Sequence, residues 1–444
     1  MTGHSPLPRG EDTRWGLLRR RWQLRRQSAP QPSAFGEGKA ISRLMLFFAI
    51  VYLVEGIGQA RVGIILQPLT NYLKTHGWTP LEVTAYFGVL NFPWVIKPVF
   101  GLISDFVPLF GYRRTSYLLL ASAGGALGYA GVALLNGPAE FALFLLLTSY
   151  AMATASTLCG ALLAENGRTF QRSSLFVGQQ WLWFYVAIMV SALVGGELVE
   201  NLSASAALKA AAGIAALAPL AVVIATPLLL TEAKSRVSRE TFRNTWYGIV
   251  EALKSRRLWL VAAFLFLYAF APGFGTPLYY YMTDTLRFSQ SYIGVLGGVA
   301  SAGWIAGALL HRWLMRRIDA ENLLYLSILL GTLSAASFLL LTGEVSAAIV
   351  NFANGLAQMI ATIASLTLAA QCVPRRAEGF AFAGLMSVSN LADICSINAG
   401  AFLYEHVFDS HLAPLIIVAA ATTAIAAVLV PWLGLRSKPV DSPV

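Results

Sequence analysis

The sequence predicts an all-α membrane protein, with twelve transmembrane helices in two six-helix bundles. Three observations carry that prediction. Only 12% of the 444 residues are Asp, Glu, Lys or Arg, while 57% are hydrophobic, and a soluble domain is about 25% charged. A soluble chain of this length cannot cover itself with so few charges, so most of its surface must face lipid. The apolar residues also fall into successive segments of about 20, the length that crosses a bilayer core. Finally, the longest internal polar stretch, Thr231 to Arg256, lies midway and leaves six segments on either side. A soluble enzyme and a one-span receptor are both excluded.

The expected organisation is a basic tail at 1–42, a first bundle at 43–230, a linker at 231–256, a second bundle at 257–435 and a tail at 436–444. Spans one to six are read at 43–67, 80–106, 115–136, 138–163, 173–197 and 205–230. Spans seven to twelve are read at 257–283, 289–314, 320–342, 344–371, 376–404 and 411–434. Span two opens on Thr79-Pro80-Leu81-Glu82, a capping box with proline in the first helical position. Pro93 and Pro98 inside it each remove a backbone donor, so this span is expected to be kinked and to face the protein interior. Span one contains Glu55-Gly56-Ile57-Gly58 and span seven contains Pro272-Gly273-Phe274-Gly275-Thr276-Pro277. These interruptions occupy corresponding places in the two halves, the sequence mark of a transporter's binding site. Close helix packing through small residues is the competing account.

With both termini cytoplasmic, the cytoplasmic segments hold about 27 of the 32 Lys and Arg residues, as the positive-inside rule requires. The opposite side holds Lys74, Lys209 and Arg287. The net charge of +10 therefore reads as membrane topology, and no nucleic-acid partner is expected. The run Arg19, Arg20, Arg21, Arg25 and Arg26 is read as a cytoplasmic tail near anionic headgroups rather than a transit peptide. Asn201-Leu202-Ser203 fits a glycosylation acceptor only in a eukaryote. Cys159, Cys372 and Cys395 have no metal-ligand spacing and are read as packing thiols.

Four ionisable residues lie inside apolar spans, and a fifth closes one. At 1.5 Å per residue, Glu55 falls near the bilayer midplane and Arg61 in the outer third of the same helix. Lys97 falls in the inner third of span two, and Asp393 in the outer half of span eleven. A charge at a helix centre costs about 2.5 kcal/mol or more on insertion scales, so four without role or partner are not expected. Structural ion pairing is the bland alternative. Glu55 and Arg61, six residues apart, lie about 120° apart round the helix and should not pair. Lys97 and Asp105, eight apart, share a face and could pair or bridge through water.

Asp393 has Ser389, Asn390 and Ser396 at helical spacing, and Asn351, Asn354 and Gln358 form a polar stripe on span ten. Span five adds Gln179, Gln180, Trp181 and Trp183. Amides beside indoles suit a flat polar heterocycle, although such indoles can equally face lipid. Tyr279, Tyr280 and Tyr281 read as an outer-interface belt. No phosphate-binding loop is present, since Gly36-Glu37-Gly38-Lys39 lacks its spacing and its hydroxyl. Energy must then come from a gradient. No nucleophile elbow or metal cluster appears, so neither an enzyme nor a cofactor or metal is expected.

Span two and its exit read Phe92-Pro93-Trp94-Val95-Ile96-Lys97-Pro98-Val99-Phe100-Gly101-Leu102-Ile103-Ser104-Asp105, followed by Pro108, Gly111-Tyr112-Arg113-Arg114 and Ser116-Tyr117. This resembles the signature of the folate-biopterin transporter family, a branch of the major facilitator superfamily. The series Gly101, Asp105, Gly111, Arg113, Arg114 also looks like the superfamily's cytoplasmic loop motif. The resemblance implies a gate in which Asp105 engages basic residues or helix ends in one state and releases them in the other. Similar stretches follow at Ser289 to Gly307 with Arg312, Arg316 and Arg317, at Cys372-Val373-Pro374 and Glu378-Gly379, and at Phe382-Ala383 and Met386-Ser387-Val388-Ser389-Asn390. One departure stands out. The family's span four carries two acids ahead of an exit like Ala164-Glu165-Asn166, and here Ser156 and Gly160 occupy those places. Glu55 and Asp393 sit where a glutamine and a small residue are expected.

The resulting expectation is proton-coupled movement of a small organic anion, a folate or pterin derivative, by alternating access. Arg61, Lys97, Gln179, Trp181, Asn354, Gln358 and Asn390 are the candidate substrate-binding residues. Glu55 and Asp393 are the candidate proton carriers, because a carboxyl buried in an apolar bundle can exchange its charge for a proton. Asp105, Gly101, Arg113 and Arg114 are the candidate gate. An exporter, a carrier of a different solute and a non-transporting scaffold of transporter shape stay open as alternatives. The expected setting is the bacterial inner membrane, with protons, lipid and a small molecule as partners and a monomer admissible.

Overall fold

The computed structural model describes residues 34–234, 239–314, 317–372 and 378–433. The basic run Arg19 to Arg26, Val373-Pro374, Arg316 and the tail at 436–444 lie outside these residues. Residues 34–44 fall in one compact unit and the residues from Met45 onward in another. Among the described residues all regular structure is helical, apart from one isolated bridge between Leu109 and Tyr112.

Eleven helices among the described residues are long and apolar enough to cross a membrane. The twelfth expected span, span seven, is two shorter helices, Arg256–Ala269 and Gly275–Asp284. Pro272 and Gly273 lie in the gap between them, where no helical ladder is possible without the proline's missing donor. Span one is broken in the corresponding place, between Ala34–Gly58 and Leu66–Thr75. It therefore extends to Thr75 rather than to 67. Pro68 sits in the first turn of the second piece, where its missing N–H removes nothing. Gly77, at φ +83°, follows that piece's end in the left-handed conformation that glycine adopts without strain.

Span two starts at Pro80 behind the expected capping box. The Thr79 hydroxyl accepts from the Glu82 amide at 3.3 Å, and the Glu82 carboxylate accepts from the Thr79 amide at 2.9 Å. The span divides at Ile96 into Pro80–Val95 and Lys97–Phe106. Pro98 supplies the reason, because it cannot donate to the carbonyl of Trp94 four residues earlier. Span eleven repairs the loss: the Asn390 side-chain amide donates to the Trp94 carbonyl at 2.9 Å.

Span three packs on spans four and six in the first half, and span ten on spans eight and nine in the second. The halves meet chiefly through span five against span eight and span two against span eleven. Outward faces carry exposed apolar side chains, Leu127 and Leu217 at 67% and Ile349 at 65% among them, which suits contact with lipid tails. Within the linker, Arg239–Leu253 forms a helix.

The tyrosine triplet is not an interface belt. Tyr279 is buried in a core with Leu278, Met282 and Ile293, and Tyr280 packs against the cores of both halves. The Tyr280 hydroxyl donates to the Trp78 carbonyl at 2.6 Å. Aromatic rings with a polar tip serve here to join two bundles.

Candidate functional site

A cavity of about 2200 Å³ lies between the halves. Its lining runs from Asp105 and Glu165 of the first half and Thr367 and Phe380 of the second to Arg61, Asp393 and Gly273, the end toward the bonds that tie the halves around Lys74 and so called the blind end. The two ends of the spans are accordingly called the Asp105 end and the Lys74 end. All the candidate residues line the cavity except Arg113.

The two helix breaks build the blind end. In span one, Gly63 donates to the Gln59 carbonyl at 2.7 Å and Ile64 to the Ile57 carbonyl at 3.1 Å. A Cβ at Gly63 would stand 2.2 Å from the Ile57 oxygen, so only glycine fits this turn. The freed Gly58 carbonyl accepts from the Tyr129 hydroxyl at 2.5 Å. In span seven, Gly273 donates to the Ser396 carbonyl at 3.0 Å, and the Ser396 hydroxyl donates to the Ala271 carbonyl. A Cβ at Gly400 would lie 1.9 Å from the Gly273 oxygen. Irregular backbone at membrane depth is tolerated because neighbouring spans satisfy it in this way.

Two acid-base arrangements face the cavity. Arg61, in the span-one break, makes a direct ion pair with Asp393 of span eleven. Both side chains keep access to the cavity, at 38% and 42% exposure. This pair joins the halves. The second arrangement lies wholly in the first half: Lys97 donates to the Ser156 hydroxyl at 3.0 Å, and Ser156 donates to a Glu55 carboxylate oxygen at 2.9 Å. The Lys97 ammonium also sits 4.5 Å from the centre of a Trp94 ring, within cation–π range. The other Glu55 oxygen and the Tyr52 hydroxyl are shielded and have no hydrogen-bond partner among the described residues. Lys97 therefore does not pair with Asp105, as the shared face suggested, because the break at Ile96 and the nearer Ser156 turn it toward span four. Ser156, which stands where the resembled family has an acid, bridges Lys97 to an acid supplied from span one.

Asp105 instead pairs with Arg114 at 2.8 Å and with Arg113 at 3.9 Å. Arg114 also meets Glu165 at 3.0 Å and donates to the Ser104 hydroxyl at 2.6 Å. Gly111, at φ +86°, turns the chain so that both arginines come back to span two. A Cβ at Gly101 would stand 3.5 Å from the Thr157 Cγ2 of span four. Glu232, beyond span six, accepts from the backbone amides of Arg113, Arg114 and Thr115 at 3.0, 3.1 and 2.9 Å. It caps span three, and a cap supplied from so far along the chain leaves no local signature.

Several amides of the polar stripes are engaged in holding the wall together. Asn390 mends the Trp94 carbonyl, Asn354 accepts from the Ser334 hydroxyl at 2.9 Å, and Gln179 accepts from the Trp183 indole at 2.6 Å. Trp181 and Gln358 line the cavity wall. Tyr185 and Trp304 line it too. Neither stood out in the sequence, Tyr185 because it ends a run of aromatics and Trp304 because it is a lone aromatic in an apolar run.

The Lys74 end is shut by bonds between the halves. Lys74 pairs with Asp284 and with the Thr283 hydroxyl. Gln67 donates to the Gln290 carbonyl at 2.8 Å, Glu200 accepts from the Gln290 amide at 2.6 Å, and Glu405 accepts from the Leu81 amide at 2.5 Å. Spans five and eight touch backbone to backbone there: a Cβ on Gly196 would lie 2.9 Å from the Gly294 Cα.

Comparison with known proteins agrees with this architecture. The model of the BT1 family matches residues 62–440. The folate-biopterin transporter of a Synechocystis species is 28% identical over 427 residues, covering 90% of this chain and 82% of that protein. A probable folate-biopterin transporter of Arabidopsis thaliana is 28% identical over 393 residues, covering 82% and 76%. The crystal structure of nucleoside transporter NupG superposes with a TM-score of 0.67 at 15% identity, covering 89% of this chain and 100% of that one.

Proposed function

Because the chain belongs to the BT1 family, a family of membrane transporters and not of enzymes, we propose that it moves a folate or pterin derivative, as an anion, by proton-coupled alternating access. The observation that carries this reading is the Arg61–Asp393 ion pair, set at the blind end of the cavity and shared by the two halves. While the Asp393 carboxylate is charged it competes with a second anion for this guanidinium, and neutralising it removes the competitor. A proton on Asp393 does this: it releases Arg61 to the carboxylate of the substrate and removes one tie between the halves. The names of the relatives supply the substrate class.

Lys97 offers a second cation to the same cavity, with Glu55 as its proton-accepting partner through Ser156. Gln179, Trp181, Asn354, Gln358 and Asn390 give the wall around the substrate its polarity. The Asp105 end faces the cytoplasm under the positive-inside distribution, in a bacterial inner membrane. The Asp105, Arg113, Arg114 cluster, with Gly101 at its base, holds the cytoplasmic mouth in its open state.

The test is uptake of labelled folate by proteoliposomes with and without an imposed pH gradient. Gradient-driven accumulation that disappears when Glu55→Gln and Asp393→Asn are combined is the expected result. Gradient-independent uptake unaffected by both substitutions rules the coupling out. A thermal-shift screen in which a sugar or peptide stabilises the protein and no folate or pterin does rules out the substrate.

A further inference from the structure

Span five places Trp181 and Tyr185 four residues apart, and their rings stack with centres 5.9 Å apart and planes 18° from parallel. Tyr185 stacks in turn on Trp304 of span eight, at 4.7 Å and 26°. Three rings thus form one continuous row across the boundary between the halves. Tyr185, the middle ring, is 5% exposed. Its faces are taken by its neighbours, and the two indoles at the ends of the row line the cavity. The row is built in. Span ten carries glycine at 355, where a Cβ would lie 3.1 Å from the Trp304 ring and 2.0 Å from the Ala300 carbonyl oxygen. Bare backbone there lets span ten close against span eight beside the indole. One turn either side of that glycine, Asn351 and Gln358 line the cavity, and Asn354 precedes it. Arg61 lies within Coulombic reach of Tyr185.

We propose that this row is a stacking shelf for a flat heteroaromatic ring, with Trp304 as the residue that selects for planarity. The inference rests on the reading of the chain as a carrier of a ring-bearing anion. Indoles offer the largest aromatic face, and offset stacking of a planar ring on such a face adds to the apolar area it buries. The amides of span ten both donate and accept, so they suit a ring whose edge alternates donors and acceptors. Arg61 beside the row then takes the anionic tail of the same molecule. A saturated, puckered ring meets the shelf with only part of its face, whereas its tail meets Arg61 unchanged. Discrimination between flat and puckered substrates is therefore assigned to Trp304, and recognition of charge to Arg61.

The probe is lumazine, a flat fluorescent pteridine without a carboxylate, titrated into the purified full-length protein and into Trp304→Phe and Trp304→Leu. Both variants keep an apolar side chain in the wall. Thermal unfolding of each variant is recorded alongside. Lumazine is expected to bind the wild type saturably, to bind Trp304→Leu about tenfold or more weakly, as loss of an aromatic stacking partner does elsewhere, and to bind Trp304→Phe within about threefold of wild type. Folic acid should outcompete tetrahydrofolate in the wild type, and that preference should collapse in Trp304→Leu. Equal lumazine affinity in all three proteins overturns the shelf, as does equal loss in both variants or an absence of binding to the wild type. If lumazine binds as expected while folate is neither bound nor carried, the shelf stands and the anion reading falls.

Discussion

At the Lys74 end the bonds that hold the molecule together join residues far apart in the chain: Gln67 to Gln290, 223 positions away, Lys74 to Asp284, 210 away, and Leu81 to Glu405, 324 away. At the Asp105 end the described cluster joins Asp105, Arg113, Arg114 and Glu165 of the first half with Glu232 at the start of the linker, and takes nothing from the second half. One end is a seam between two bodies and the other is a brace within one body. A seam made of many modest, partly exposed bonds can open without leaving a buried charge stranded. A brace built round an arginine that is only 5% exposed cannot. The difference indicates which end is shut in this state and which cluster costs more to take apart.

The sharpest way to break this contrast is to prevent the seam from closing. Gly294→Val places a branched side chain where a Cβ alone would lie 2.6 Å from the Ala192 carbonyl oxygen. Transport should be abolished, and a cysteine at Asn71, in a background with Cys159, Cys372 and Cys395 replaced by serine, should become reactive to a membrane-impermeant maleimide. Unchanged labelling means that spans five and eight are not what shuts this end. At the brace, Arg114→Met leaves Asp105 and Glu165 without their shared cation. Loss of one partner of a buried pair costs about 3 kcal/mol or more, reduced here because the two carboxylates are 39% and 40% exposed. The variant should lose several degrees of thermal stability in detergent, and a variant as stable as wild type would show the cluster to be ornamental.

Glu232→Gln comes next. It keeps an acceptor at the start of span three but removes the charge that three backbone amides share. A cap of this kind contributes about 1 kcal/mol, which differential scanning should register as a small fall in unfolding temperature. The smallest effect belongs to Lys74→Met. Its partner Asp284 is 60% exposed, and exposed pairs contribute about 0 to 1 kcal/mol. Transport should change by no more than a few-fold, with the difference vanishing at high salt. Complete loss of transport in Lys74→Met would mean that the seam hangs on one bond rather than many.

The same contrast explains what was legible in the sequence. The brace announced itself because its residues are close together and resemble a known motif. The helix breaks were legible for the same local reason: Gly58 stands at one and Pro272 and Gly273 in the other, while Gly56 stays helical. Glu55 and Arg61 do not pair, as their spacing indicated, but that spacing assumed one continuous helix, whereas Arg61 lies in the break after Gly58. Their partners were not legible. Asp393 reaches Arg61 from 332 positions away, and Ser156 diverts Lys97 from Asp105 only because the kink at Ile96 turns the lysine toward span four. The tyrosine triplet was misread for a related reason, since an aromatic at a span end looks the same whether it meets headgroups or a second bundle. Trp304 and Tyr185 give no signal until two spans from different halves bring their rings together.

The account turns on Asp393 being the group whose protonation frees Arg61. The direct measurement compares two assays on the same proteoliposomes, for wild type and for Asp393→Asn: exchange of labelled for unlabelled folate at equal pH, and accumulation of labelled folate driven by a pH gradient. The account predicts that Asp393→Asn, with Arg61 permanently released, keeps exchange and loses gradient-driven accumulation. Accumulation at the wild-type level by Asp393→Asn would contradict it.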